Sequence, residues 1–142
     1  KMKPGLKYED LELGMSHEDK HVVTEQDVID FARISGDHNP LHMDEEYAKT
    51  TIFGERIAHG ALTASYVSAI LGNDLPGPGA IFTDLNLRFK RPVKIGDTVV
   101  ARAEVSEMIP RGNRVTLSVK CMVDGKTVIQ GEAKVMVPSR ES

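Results

Sequence analysis

The sequence has 142 residues, with 18 Lys and Arg against 21 Asp and Glu, and therefore a formal net charge of −3. This length suits one domain, residues 1–142, and a composition of 40% hydrophobic and 27% charged residues excludes disordered and fibrous classes. The slight acidity argues against broad nucleic-acid binding, and the single cysteine excludes an internal disulfide framework and favours the cytoplasm.

Neither a targeting signal nor a membrane span is predicted. The first residues, Lys1–Gly5, lead into no apolar stretch of the kind that a secretory signal requires. Residues 57–73 carry no Asp, Glu, Lys or Arg, but His59, Gly60 and several hydroxyl residues interrupt them. This segment therefore predicts a buried core helix, and we expect no membrane association.

The first helix is predicted after Thr24, a favourable N-cap residue. Val28 and Phe31 follow at helical spacing, and Gly36 can end the helix in the left-handed conformation. Asp27 stands where a capping box usually has Glu or Gln, so that part of the signal is imperfect.

Two more helices are predicted before the middle of the chain. A loop at residues 37–42 is followed by a short helix from about Asp44 to Lys49. The segment Gly60–Leu71 is helical in pattern and apolar or small on nearly every side, and Gly72 is a suitable stop. A helix without a charged face is expected to be surrounded by protein.

From Ile81 onward apolar residues alternate with polar ones, which predicts β-strands. The apolar positions form four groups: Leu85, Leu87 and Phe89; Val99, Ala101, Ala103 and Val105; Val115, Leu117, Val119, Cys121 and Val123; Ile129, Gly131, Ala133, Val135 and Val137. Gly96-Asp97, Asp124-Gly125 and residues 110–113 provide turn residues between neighbouring strands. The pattern predicts four long strands in an antiparallel meander, and an early strand around Val22–Val23 is a candidate to join them.

An apolar sheet face and a charge-free helix can cover each other if the sheet curls around the helix. The predicted class is therefore α+β. The edges of such a small sheet stay open, so we expect pairing with a second copy across a dimer.

The loop at residues 37–42 gathers a carboxylate, two imidazoles and an amide, from Asp37, His38, His42 and Asn39. Pro40 restricts the backbone between Asp37 and His42, so both side chains can point into one cleft. The same residue types are common in loops as caps and turn residues. Spacing alone therefore leaves both a functional and a purely structural role open.

His59 and Gly60 open the charge-free helix. Free N–H groups at a helix N-terminus suit an anionic oxygen, and glycine lets a ligand approach the backbone closely. Gly60 can equally serve only to allow tight entry into a buried helix.

The loop belongs to a longer motif that resembles the signature of the MaoC-like dehydratases, which include the (R)-specific enoyl-CoA hydratases. The motif runs from Phe31 to His42 and contains Ser-Gly-Asp-His-Asn-Pro-Leu-His. The resemblance continues through Asp44 and Ala48, through Ile57–Gly60 and into Leu87–Asp97, so it covers most of the chain.

The resemblance implies a hot-dog fold, in which an antiparallel sheet wraps a long helix, usually as a homodimer. It implies reversible syn hydration of a trans-2-enoyl thioester to the (R)-3-hydroxyacyl thioester in fatty acid metabolism, with coenzyme A or acyl carrier protein as the carrier. No cofactor is implied beyond the coenzyme A of the substrate. By position, Asp37 and His42 match the catalytic pair, and Asn39 lies within the motif. Gly60 matches the residue whose N–H binds the thioester oxygen, and Ser68 matches a pocket-lining serine.

Metal binding is the less favoured interpretation of the polar residues. Asp37, His38, His42 and His59 are all potential ligands, but their spacing matches none of the usual ligand sets, so we predict no metal. Arg88, Lys90 and Arg91 are either a solvated basic face or the contacts for the phosphates of coenzyme A.

Two other functions stay open alongside the hydratase. A hot-dog acyl-CoA thioesterase would direct water at the carbonyl carbon, and a non-catalytic acyl-CoA-binding module would use the same tunnel without chemistry. The acyl chain length and the choice of carrier are not predicted from the sequence.

Overall fold

A five-stranded antiparallel sheet and one long helix make up most of the computed structural model, which describes residues 3–141. The strands are β1 (Ser16–Val22), β2 (Ile81–Phe89), β3 (Thr98–Ile109), β4 (Arg114–Val123) and β5 (Lys126–Met136). The helices are α1 (Glu25–Ser35), α2 (Pro40–Met43), α3 (Glu45–Lys49) and α4 (Gly60–Asn73), preceded by a 3₁₀ turn at Tyr8–Asp10. Lys1 and Met2, part of the segment searched for a targeting signal, lie outside the described residues, as does Ser142.

The strand order is β1-β3-β4-β5-β2, so the predicted four-strand meander is wrong for β2. Strands β3, β4 and β5 follow one another, but β2 pairs with β5 at the far edge of the sheet. The turn at Gly96-Asp97 does not form a hairpin, because Gly96 N–H donates to Val23 O at 2.7 Å and Val23 N–H donates to Asp97 O at 2.9 Å. These bonds lead the chain into β3 beside β1. The early strand is therefore confirmed, and it is longer than predicted.

Two helix ends differ from the sequence prediction. The capping box of α1 is complete, because Asp27 N–H donates to Thr24 Oγ1 at 3.1 Å and Thr24 N–H donates to Asp27 Oδ2 at 2.9 Å. The Asp27 carboxylate thus accepts the hydrogen bond that Glu or Gln usually accepts in a capping box. Helix α4 runs past Gly72 to Asn73, since the N–H groups of Asp74 and Leu75 satisfy the carbonyl of Ile70 and glycine is not required there.

The core lies between α4 and the concave face of the sheet. Its fully enclosed members come from the alternating positions predicted for three strands and from one side of the helix: Val99, Ala101, Ala103, Leu117, Val119, Cys121, Ile129, Ala133, Val67 and Ile70. Burial raises the pKa of the Cys121 thiol to about 12. The opposite side of α4, which carries Ala61, Ser65, Ser68 and Gly72, is exposed in the single chain, so the prediction of a fully surrounded helix holds for one side only.

Strand β2 is largely exposed, so the prediction of an apolar face turned inward holds for Leu87, which is half-buried against the core, but is wrong for Leu85 and Phe89. Ile81, Phe82, Leu85 and Phe89 are between 41% and 61% exposed. The cause is that α4 packs mainly against β1, β3 and β4 and so leaves β2 largely uncovered. No helix within residues 3–141 is long and apolar enough to cross a bilayer.

Candidate active site

The loop after α1 is held by a chain of local hydrogen bonds. Ser35 Oγ accepts from Asp37 N–H at 3.1 Å, Asp37 Oδ1 accepts from Asn39 N–H at 3.1 Å, and Asn39 Oδ1 accepts from Leu41 N–H at 3.0 Å. Pro40 occupies the first position of α2, with Asn39 as its N-cap, so the last three residues of the predicted loop are helical. Asp37 and Asn39 therefore do act as turn and cap residues, as residues of these types commonly do in loops.

The backbone of His42 is anchored from outside the loop. Arg56 Nε donates to His42 O at 2.7 Å, and Arg56 Nη1 pairs with Glu25 Oε1 at 2.6 Å. The Arg56 side chain is only 11% exposed whereas Glu25 is 62% exposed, so the bond to His42 O is the more shielded of the two. Helix α2 is thereby tied to α1.

The orientation of the His42 ring leaves one nitrogen free for chemistry. Nδ1 lies 2.8 Å from Ile57 O, and because a carbonyl only accepts, Nδ1 carries the proton. Nε2 therefore presents a lone pair. A backbone acceptor that sets the tautomer in this way is the arrangement expected of a general base.

Asp37 and His42 are brought together as the sequence predicts. A carboxylate oxygen of Asp37, a ring nitrogen of His42 and a ring nitrogen of His59 lie within 4.8 Å of one another. At up to 4.8 Å apart, the first two are within reach of one water molecule that hydrogen-bonds to both. Asp37 is exposed and His42 is half-buried, so the pair is accessible from solvent.

The third member, His59, is only 1% exposed and is the residue whose role was missed from the sequence. Its Nε2 donates to Asp37 O at 3.0 Å, and its ring centroid lies 4.1 Å from that of His42. Burial, more than any neighbouring charge, lowers the pKa of His59. The available signal was a histidine placed directly before a charge-free helix.

As a metal centre this cluster is incomplete. Nε2 of His59 is engaged by a carbonyl, and its Nδ1 is enclosed with no hydrogen-bond partner among the described residues. The cluster therefore offers one carboxylate and one imidazole nitrogen to the cleft, fewer than the three protein ligands of a typical catalytic zinc site. His38 is exposed and lies outside the cluster.

Gly60 is the first residue of α4, so its N–H has no acceptor within the helix. Within residues 3–141 no hydrogen bond from this N–H is formed, and the N-cap side chain of His59 does not cover it. A Cβ at this position would lie 2.8 Å from Cε2 of Phe89. Glycine is thus required for the close approach of this ring, and it leaves the N–H free at the positive end of the helix.

A cavity of about 350 Å³ lies beside His42 and Gly60, and its lining includes neither Asp37 nor His59. It is lined by His42, Gly60, Lys90 and Arg91 and by residues that are mostly apolar: Phe53, Ile57, Ala58, Thr63, Phe89, Pro92, Val93 and Ile129. Two of the three predicted phosphate contacts therefore border the cavity. Arg88 instead shares a neighbouring cleft between β2 and β5 with Lys90.

Two predicted substrate contacts are not part of this cavity wall. Ser68 is exposed on the open side of α4, about 12 Å along the helix from Gly60 at 1.5 Å per residue. Asn39 is exposed, and its side-chain oxygen is used to cap α2.

Comparison with known proteins shows one family. The model of the MaoC-like domain matches residues 10–131. An (R)-specific enoyl-CoA hydratase of Rhodospirillum rubrum is 50% identical over 133 residues, which are 94% of this chain and 92% of that protein. A 3-hydroxybutyryl-CoA dehydratase of Methylorubrum extorquens is 47% identical over 96% of this chain and 87% of its own length. The unliganded R-hydratase PhaJ1 from Pseudomonas aeruginosa superposes with a TM-score of 0.90 at 44% identity, covering 96% of this chain and 88% of that one.

Proposed function

This chain belongs to the MaoC-like dehydratase family, and on that premise we propose that it is an (R)-specific enoyl-CoA hydratase with Asp37 and His42 as its catalytic pair. As a hydro-lyase it catalyses the reversible syn addition of water to a trans-2-enoyl thioester. The observation that carries the proposal is the closeness of His42, whose Nδ1–H is taken up by Ile57 O, to the Asp37 carboxylate, together with a cavity that His42 and Gly60 both line.

The pair acts on a water molecule held between the two side chains. Water is a weak nucleophile, so it must be oriented and lose a proton as it attacks the β-carbon. Nε2 of His42 accepts that proton while the Asp37 carboxylate accepts the second hydrogen bond of the water. Because the addition is syn, a pair on one side of the substrate also serves the proton transfer to the α-carbon.

The Gly60 N–H stabilises the charge that develops during the attack. As the β-carbon accepts the nucleophile, electrons move to the thioester oxygen, which becomes enolate-like. A preorganised N–H donor at that oxygen contributes about 3–4 kcal/mol to the transition state. The start of α4 adds the positive end of the helix dipole.

The basic residues at the cavity suit a polyanionic carrier. Lys90 and Arg91 line the cavity just after the end of β2, and Arg88 lies near the end of that strand. Arg91 Nη1 also donates to Thr127 O at 3.1 Å, which fixes its direction. In the proposed complex, Lys90, Arg91 and Arg88 contact the phosphates of coenzyme A and the acyl part lies towards His42 and Gly60.

The working form proposed is a homodimer. Strand β2 exposes four large apolar residues along an unpaired edge, and the open side of α4 carries small residues. A second copy placed there would cover apolar area that isolated chains rarely expose. Ser68 lies on that open side, so its proposed contact with substrate requires the site to be completed at this surface.

The proposed reaction needs no resident metal or redox group, because water activation and oxyanion stabilisation are both assigned to protein groups. Coenzyme A takes part only as a portion of the substrate. The buried, reduced Cys121 suits the proposed cytoplasmic location.

The test is incubation of the purified chain with crotonyl-CoA. Loss of the conjugated enoyl absorbance without release of thiol is the expected result, and chromatography of the product should give the (R)-3-hydroxybutyryl thioester. Release of free coenzyme A at the rate of substrate loss would identify a thioesterase instead. Binding without turnover would identify an acyl-CoA-binding module.

A further inference from the structure

His59, which is buried, contacts both members of the catalytic pair. Its Nε2 lies 3.0 Å from Asp37 O, and its ring centroid lies 4.1 Å from that of His42 with an interplanar angle of 32°. On another side its ring packs against Phe31 at 4.9 Å. The imidazole is therefore wedged between the end of α1, the catalytic loop and α2.

The hydrogen bond to Asp37 O determines the tautomer of His59. A carbonyl oxygen only accepts, so the proton is on Nε2 and Nδ1 is a lone pair. Nδ1 is enclosed and has no hydrogen-bond partner among residues 3–141. The same is true of Thr63 Oγ1, one turn further along α4. A buried polar group without a partner lowers stability, so the imidazole is a poorer choice than a phenyl ring for packing alone.

We propose that His59 is a positioning residue for the hydration reaction, fixing the Asp37 backbone through its Nε2–H and the His42 ring through a tilted ring contact. This inference rests on the proposed function, since it assigns His59 to that same catalytic pair. The gap between the two catalytic side chains must match one water molecule, and a displacement of about 1 Å is enough to lower a rate by about a hundredfold. His59 contacts both residues that border this gap, the Asp37 backbone by a hydrogen bond and the His42 side chain by a ring contact.

Neutrality of His59 is part of this role. Burial lowers the pKa of His59, and the neighbouring His42 acts in the same direction. A charged imidazole behind His42 would oppose the positive charge that His42 acquires when it accepts the water proton. A neutral ring instead supports the loop without that penalty.

The decisive variant is His59→Phe, which keeps a ring against Phe31 and His42 but removes the N–H. We expect kcat on crotonyl-CoA to fall about tenfold to a hundredfold with KM within about twofold, while the melting temperature stays equal or rises. His59→Gln retains an amide donor near the position of Nε2 and should recover part of kcat. The matched control is His21→Phe, because His21 likewise has a ring neighbour, stacking at 4.0 Å on Tyr66 of α4, outside the site.

Two results would overturn the proposal. One is a His59→Phe enzyme that hydrates crotonyl-CoA as fast as the His21→Phe control. The other comes from the wild-type chain and does not depend on variant folding: ¹⁵N NMR of its imidazoles at pH 7 should show His59 as the neutral Nε2–H tautomer, and a charged or Nδ1–H ring would refute it. A wild-type chain that fails to hydrate crotonyl-CoA refutes the proposed function instead. The NMR measurement of the His59 tautomer then still tests the hydrogen bond from His59 to Asp37 O.

Discussion

Replacing Gly60 by proline removes the proposed oxyanion donor while leaving the helix intact. Gly60 is the first residue of α4, where proline is favoured because its missing N–H has no helical acceptor. The preceding residue, His59, already has φ −58° and ψ 135°, which are values that a residue before proline readily adopts. The N–H of Gly60 forms no hydrogen bond within residues 3–141, so none is lost.

Gly60→Ala is the control for the added side chain. Both variants place a Cβ 2.8 Å from Cε2 of Phe89, against an ordinary contact of at least 3.4 Å, so the ring must move by about 0.6 Å in each. Phe89 is 59% exposed and can yield towards solvent. The alanine variant keeps the N–H, whereas the proline variant replaces its hydrogen with the ring Cδ, so their ratio reports the loss of the donor together with the closing of its position.

We expect kcat of Gly60→Pro to be about a hundredfold to a thousandfold below that of Gly60→Ala, which corresponds to about 3–4 kcal/mol of transition-state stabilisation. The assay is the loss of enoyl absorbance from crotonyl-CoA under saturating substrate, with circular dichroism and thermal melting as checks on folding. Equal rates for the two folded variants would refute the assignment of Gly60 N–H as the oxyanion donor.

Three further predictions concern the remaining groups. Asp37→Asn and His42→Ala should each lower turnover by at least about a hundredfold while circular dichroism remains unchanged; near-wild-type hydration by either would remove that residue from the catalytic pair. The double variant Lys90→Ala/Arg91→Ala should raise KM for crotonyl-CoA about tenfold but leave KM for the crotonyl thioester of N-acetylcysteamine, which lacks the phosphates, nearly unaltered. An equal rise for both substrates would contradict a phosphate contact. Dialysis against EDTA should change the hydration rate by less than about twofold, and a loss restored by added zinc would establish a metal enzyme.

The curled sheet was predictable where side chains alternate between core and solvent. Val99 and Ala101 on β3, for example, are fully buried as their spacing indicates. Leu85 and Phe89 on β2 show the same alternation, yet they are exposed, because strand order depends on where the chain crosses. That crossing is directed by backbone hydrogen bonds at Val23, Gly96 and Asp97, and such bonds leave no side-chain pattern.

The candidate site divides in a similar way. Asp37 and His42 are close in sequence and carry ionisable groups, so their pairing could be predicted. The group that determines the tautomer of His42 is the carbonyl of Ile57, fifteen residues away, and every residue type supplies such a carbonyl. The role of His59 depends on a long-range contact of the same kind with Asp37 O.

The burial of Cys121 has a practical consequence for separating hydration from thioester hydrolysis. It is the one cysteine of the sequence, and with a pKa of about 12 only about one thiol in ten thousand is ionised at pH 8. An aromatic disulfide reagent in the cuvette would therefore report coenzyme A released from substrate and almost nothing from the enzyme. The thiol signal from the native enzyme is therefore low without any substitution of Cys121. Hydration and thioester hydrolysis can then be followed in one continuous experiment.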